Sequence, residues 1–185
     1  MTNELIDLSA LEEQMNSVNK EIEALKKTHI ETSKKVFHGA VEAFFKMYPE
    51  VEALQWSQYT PYFNDGDSCE FSVNDLNVLT SEEVKGLKNG EISRRELYAN
   101  NPFEKPSDYV YRNAKDEYYA NQIKIWDDRV ARIGEDRIKE LDEGVKKFKK
   151  IFNSISDDTM LSLFGDHVQV TVTRKGIDVD EYDHE

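Results

Sequence analysis

From residue 3 to residue 48 the chain has no proline and a single glycine, Gly39, and its first apolar residues repeat with a strict period. Leu8, Leu11, Met15, Val18, Ile22 and Leu25 are separated by 3, 4, 3, 4 and 3 positions. That is a heptad seam of period 3.5, the spacing that keeps one stripe of a helix against a partner. The seam meets His29 and Ser33 before apolar residues resume at Phe37, Ala40, Phe44 and Tyr48. Three successive steps of four (25, 29, 33, 37) form a stutter, where a supercoil locally unwinds. A helix over 3–48 would run about 65–70 Å at 1.5 Å per residue. A polar helix of that length is not stable alone, so the pattern demands a second surface.

A second proline-free stretch, 113–154, offers one. Tyr119, Ile123, Trp126, Val130 and Ile133 step by 4, 3, 4 and 3; after Gly134, the set Ile138, Leu141, Val145, Phe148, Phe152 and Ile155 steps by 3, 4, 3, 4 and 3. Two arms, each with two heptad blocks and one discontinuity, suggest antiparallel pairing, within one chain or between two. Gly134 also permits a break, with the remainder folding back as a third helix.

All four prolines (Pro49, Pro61, Pro102, Pro106) fall between the arms, so both helices stop there. Leu54-Gln55-Trp56-Ser57-Gln58-Tyr59 and Cys69-Glu70-Phe71-Ser72-Val73 alternate with period 2 around Asn64-Asp65-Gly66-Asp67. This predicts a β-hairpin over about 53–73 with Trp56, Phe71 and Val73 facing a small core. Two short helices are expected next, one headed by Ser81 and one by the capping-box spacing of Ser93-Arg94-Arg95-Glu96. Ser156-Asp157-Asp158 starts a further helix that stops at Gly165, and 167–174 alternates as a strand before an acidic tail, 178–185. A lone strand needs neighbours, so it is expected to join the hairpin.

The expected fold is α+β. It has a helical arm (1–48), a small α+β head (49–112), a second arm (113–155), and a last unit (156–185) of short helix, strand and tail that joins the head.

The formal net charge is −13, and it is unevenly placed: −2 over 1–48, −6 over 49–112, +1 over 113–154 and −6 over 155–185. Such a surface repels phosphate backbones and anionic membranes, which speaks against direct nucleic-acid binding. No apolar run reaches the roughly 20 residues of a membrane helix. The opening Met1-Thr2-Asn3-Glu4 lacks a secretory pattern, and a single cysteine, Cys69, fits a reducing compartment, so a cytoplasmic location is expected.

The run Trp56-Ser57-Gln58-Tyr59-Thr60-Pro61-Tyr62-Phe63-Asn64-Asp65-Gly66-Asp67-Ser68-Cys69-Glu70-Phe71 resembles a signature of uncharacterised bacterial and tailed-phage proteins. Phe164-Gly165-Asp166-His167-Val168 and the ending Tyr182-Asp183-His184 resemble the same family. The resemblance implies a small intracellular protein of bacterial or phage origin, active in the host cytoplasm if viral. No established activity comes with it, so it carries over no catalytic residue.

The one constellation with metal-binding residue types is Asp65, Asp67, Asp166 and His167, with Asp183-His184 beyond them; carboxylate and imidazole suit Zn or Mn. Its spacing matches no metal motif, and the same residues also read as turn formers and solvated tail. Cys69, next to Phe71 on the expected strand, reads as a buried structural thiol. His29 lies in the seam, where a polar residue sets register. His38 reads as a solvated helix residue. No GxSxG, P-loop or GxGxxG occurs. Tyr59, Tyr62 and Phe63 flank Pro61 and, with Trp56, either bind a partner or fill the small core.

Two classes remain. The first is a non-enzymatic acidic coiled-coil protein without cofactor, which pairs with itself through Leu8 to Leu25 and with another protein through the aromatic head, for instance as a phage regulator or inhibitor of a host factor. Charge mimicry of DNA is a version of it, weakened by the near-neutral second arm. The alternative is a metal-dependent module built on the Asp/His set.

Overall fold

The computed structural model describes residues 8–63, 65–92 and 101–183. The capping box expected at 93–96 and the terminal His184 lie outside the described residues. The fold is α+β, with six helices and five strands among the described residues.

Helix α1 (Leu8–Met47) is one continuous 40-residue element with two different halves. Its last turns bury Phe37, Val41, Phe44 and Phe45. Every residue from Leu8 to His29 is exposed. At 1.5 Å per residue this leaves about 33 Å of helix projecting from the body.

Strand β1 (Ala53–Tyr59) is the centre of the sheet. On one side it pairs antiparallel with β2 (Ser72–Val73) and β3 (Asn77–Leu79). These two are one edge interrupted by a bulge: Trp56 and Ser57 of β1 face three residues, Asn74, Asp75 and Leu76. On its other side β1 pairs with β4 (Val168–Thr173), from Ala53↔Thr173 to Gln58↔Val168. The C-terminal strand thus joins the sheet of its own chain, whereas its alternation left open a place in another protomer's sheet.

Three expectations need correction. The turn at Asp65-Gly66 is not a tight hairpin, because β1 ends at Tyr59 and β2 begins only at Ser72, so Cys69 sits in the connection and is exposed rather than a buried thiol. The acidic stretch after Gly176 is not a tail: β5 (Gly176–Glu181) pairs with β4 through a two-residue turn at Arg174-Lys175. Ile177 and Val179 alternate there with Asp178 and Asp180, and the carboxylates make this outer edge unattractive to further strands. The second arm is not one helix. Gly134, at φ +94°, separates α4 (Glu117–Ile133) from α5 (Glu135–Phe152). That conformation is easy only for glycine and cannot continue a helix.

One sheet face packs on α1, α5 and α6 (Asp157–Phe164). Leu54, Trp56, Val78, Val170 and Val172 point into this core, where they meet Phe37, Phe44, Leu141, Val145, Phe148 and Met160. On the other face α2 (Ser81–Asn89) brings Val84 and Leu87 over Ala53 and Leu79. A short α3 (Asp108–Arg112) packs on α4.

The antiparallel pairing of arms is realised only in part, between the base of α1 and α5. Arg137 near the start of α5 forks onto Glu50 (2.8 and 2.9 Å), beyond the C-terminal end of α1, and Phe148 further along stacks on Phe44 (4.5 Å). The Arg137 hydrogen bonds hold the Glu50 carboxyl below its usual range. Between these points Gly144 lies against the Tyr48 ring, where an added Cβ would overlap the phenol. Gly144→Ala should lower unfolding free energy by about 1–3 kcal/mol. In a Tyr48→Ala background the same change should cost little, which a urea-denaturation double-mutant cycle would measure.

Candidate functional site

The two segments that carry the family resemblance are about a hundred residues apart in sequence and adjacent in space. The buried Trp56 indole N–H donates to Gln58 Oε1 (3.1 Å). Gln58, itself fully buried, donates through Nε2 to the carbonyls of Met160 (3.0 Å) and Gly165 (2.6 Å) at α6. One step along the chain, Asp166 Oδ1 accepts from the backbone N–H groups of Thr60 and His167 (both 2.8 Å), and Oδ2 accepts from the Thr60 hydroxyl (2.7 Å). Two steps further, the His167 ring stacks on Tyr62 at 4.7 Å and 10°. The Tyr182 N–H donates to the His167 carbonyl (2.8 Å), and its ring lies 5.8 Å from Tyr59.

Local chemistry explains each part. A buried glutamine inside a strand must satisfy both ends of its amide, and the carbonyls of Met160 within α6 and Gly165 just past its end provide the acceptors. His167 adopts φ +54°, a left-handed conformation unusual without glycine, and the Asp166 carboxylate supports it by accepting its N–H. Burial works against the charge on Asp166, but the Thr60 hydroxyl and amide and the His167 amide outweigh it and lower its pKa.

This arrangement separates the predicted residues into two groups. Trp56, expected among the contact residues, is 1% exposed and belongs to the core, so it cannot touch a partner. Tyr62 and Phe63 are 68% and 76% exposed, with Tyr59 half-buried beside them. They form an aromatic corner, and the carboxylates nearest to it along the chain, Asp65 and Asp67 after Phe63 and Glu181 and Asp183 on either side of Tyr182, are exposed. Phe164 contacts Phe37 at 5.9 Å, which places the corner at the end of the head from which the arm emerges.

The metal expectation is not supported by this geometry. Among the described residues, no group of three or more His, Cys, Asp or Glu is placed to hold an ion. Asp65 and Asp67 stand in an exposed turn, while both oxygens of Asp166 already accept hydrogen bonds.

Some features escaped the sequence reading. Arg129 on α4 is 5% exposed and ties three segments together through Glu83 (2.9 Å), Glu82 (3.3 Å) and the Pro102 carbonyl. Arg132 adds an ion pair to Glu82 and lowers its pKa. The available signal was an arginine three positions after Trp126, on the apolar side of the helix, facing a Glu-Glu pair at a helix start. Tyr109, Tyr111 and Tyr118 form a second exposed aromatic group on α3 and α4.

The seam residues Leu8, Leu11, Met15, Val18, Ile22 and Leu25 are 43–77% exposed. Among the described residues of the head, none packs on them. No helix among the described residues is long and apolar enough to cross a membrane.

The Asp166 contacts lead to a pH prediction. A carboxylate whose pKa is lowered by folding stabilises the fold above its unfolded value, near 3.8, and that contribution disappears as pH falls through the folded value. Asp166→Asn should therefore cost about 1 kcal/mol near neutral pH, a modest figure because the side chain is partly exposed. The difference from the parent should close below pH about 4, read from denaturation midpoints across a pH series.

No family model, no curated protein and no solved structure matches this chain.

Proposed function

We propose that this is a non-catalytic interaction protein that associates with itself through the α1 arm and binds a protein partner at the aromatic corner of the head. The observation that carries the reading is the arm: six apolar residues in strict heptad spacing, all exposed, on a projecting helix that the described residues of the head do not cover. Isolated helices of this length and polarity are marginal in water, and monomeric proteins rarely leave so long an apolar stripe unpaired.

The head supplies the second surface. Tyr62 and Phe63 offer large, rigid contact area at little entropic cost, and the exposed carboxylates that follow them along the chain, Asp65 and Asp67, favour a basic partner surface. An acidic protein that works in the cytoplasm by occupying another protein fits the family resemblance, including the role of a phage regulator acting on a host factor.

Replacing Leu11 and Val18 together by Glu tests the association reading, because each places a charge in the seam. The parent should sediment as an oligomer whose proportion rises with concentration, and the double variant as a monomer with lower helical ellipticity. Tryptophan fluorescence, from Trp56 and Trp126, should be unchanged, since neither packs on these positions. A parent that stays monomeric at high micromolar concentration would overturn the reading. For the head, Tyr62→Ala with Phe63→Ala should abolish capture of a partner from bacterial lysate while leaving the melting temperature within about 2 °C, as expected for exposed positions.

A further inference from the structure

The heptad frame of the arm does not end at the stutter. Counting Leu8, Met15 and Ile22 as position a and Leu11, Val18 and Leu25 as position d, the frame continues as His29, Thr32, Val36, Gly39 and Ala43, and then reaches Lys46 and Met47. All of these are exposed, including Val36 at 59% and Met47 at 58%. The residues that α1 buries in the head, Phe37, Val41, Phe44 and Phe45, lie about 145° round the helix from this stripe at 100° per residue. The base of α1 therefore carries two stripes. One is committed to the core, and the other extends the arm's seam along the outside of the head.

The two halves of that outer stripe are complementary in size. The arm half is large (Leu11, Met15, Val18, Ile22, Leu25), and the base half is mostly small or polar (His29, Thr32, Val36, Gly39, Ala43). In the antiparallel register that overlaps two copies along the whole helix, Leu11 meets Ala43, Met15 meets Gly39, Val18 meets Val36, Ile22 meets Thr32 and Leu25 meets His29. Large residues opposite small ones keep the interaxial distance even. A parallel pair would instead stack large on large at the tip and Gly39 on Gly39 at the base, where the helices would have to change separation.

Charge agrees with the antiparallel register. Residues 8–26 carry four acidic and two basic groups, net −2, and residues 28–47 carry two acidic and three basic groups, net +1. Antiparallel overlap sets each half against its opposite, whereas parallel overlap sets like against like. The same register places Glu21 beside Lys35 of the other copy, twice by symmetry, and the cost is a Lys26–Lys26 approach near the two-fold axis.

Resting on the association reading above, we infer that the occupant of the α1 stripe is a second copy of this chain, bound antiparallel along the full helix, with each arm lying against the base of its partner's α1 and the two heads at opposite ends.

Disulfide trapping tests the orientation. In a Cys69→Ser background, Val18→Cys and Val36→Cys are each introduced alone, at exposed positions that no core contact requires. In the inferred dimer each single variant holds its two thiols roughly 27 Å apart, too far to bridge, and a mixture of the two brings unlike thiols together. Mild oxidation of the mixture should yield a mixed disulfide at least about tenfold in excess of either homodisulfide. Homodisulfides from either single variant, or no disulfide in a mixture that still self-associates, would overturn the orientation and leave the association reading intact. A monomeric parent would remove both, and sedimentation of the unoxidised parent distinguishes that case.

Discussion

The indole of Trp56 is where the helices meet the sheet. Its ring makes edge contacts with Phe37 of α1 (6.0 Å), Phe152 of α5 (5.0 Å) and Phe164 of α6 (5.3 Å). Its N–H begins the chain of hydrogen bonds that runs through Gln58 to the end of α6. Edge-to-face aromatic pairs add to the apolar area they bury, and here one ring makes three of them. The base of the arm, the end of the helical layer and the corner carrying Tyr62 are all positioned by this side chain. Losing the indole would leave a large cavity and an unsatisfied glutamine in one step.

How much of this was legible in the sequence depended on whether a residue's role was local. The heptad steps from Leu8 to Leu25 and the alternation of 168–173 declared a helix and a strand, because periodicity is a property of neighbours along the chain. The alternation of Leu54, Trp56 and Gln58 located the central strand in the same way. What the pattern could not give was partnership. Phe37 and Phe44 continue the apolar series of the arm, yet they serve the core and not the seam, and only the position of the sheet separates the two roles. Gln58 looked like any polar strand residue until α6 supplied its acceptors. Arg129 and Glu83 are joined across 46 positions, which no local spacing reports.

The misread segments differ in physical origin, and in the acidic one composition suggested solvent while geometry specified structure. The acids of 178–181 looked like a tail, although Ile177 and Val179 keep the period of a strand; the carboxylates protect an edge instead of marking disorder. The Asp and His residues looked like ligands because of their chemistry, but Asp166 is occupied in shaping a turn. Gly134 shows how one residue outweighs a good pattern: the heptads on both sides are regular, and a positive φ still divides them.

The continuity of α1 has a mechanical consequence. No break separates the exposed arm from the turns that carry Phe37, Phe44 and Phe45 into the core, so the element is a single stiff rod clamped at one end. Torque applied near Leu8 is delivered to the aromatic contact between Phe37 and Trp56 without a joint to absorb it. Whatever grips the tip of this helix is therefore coupled to the head as a hand on a lever is coupled to its pivot.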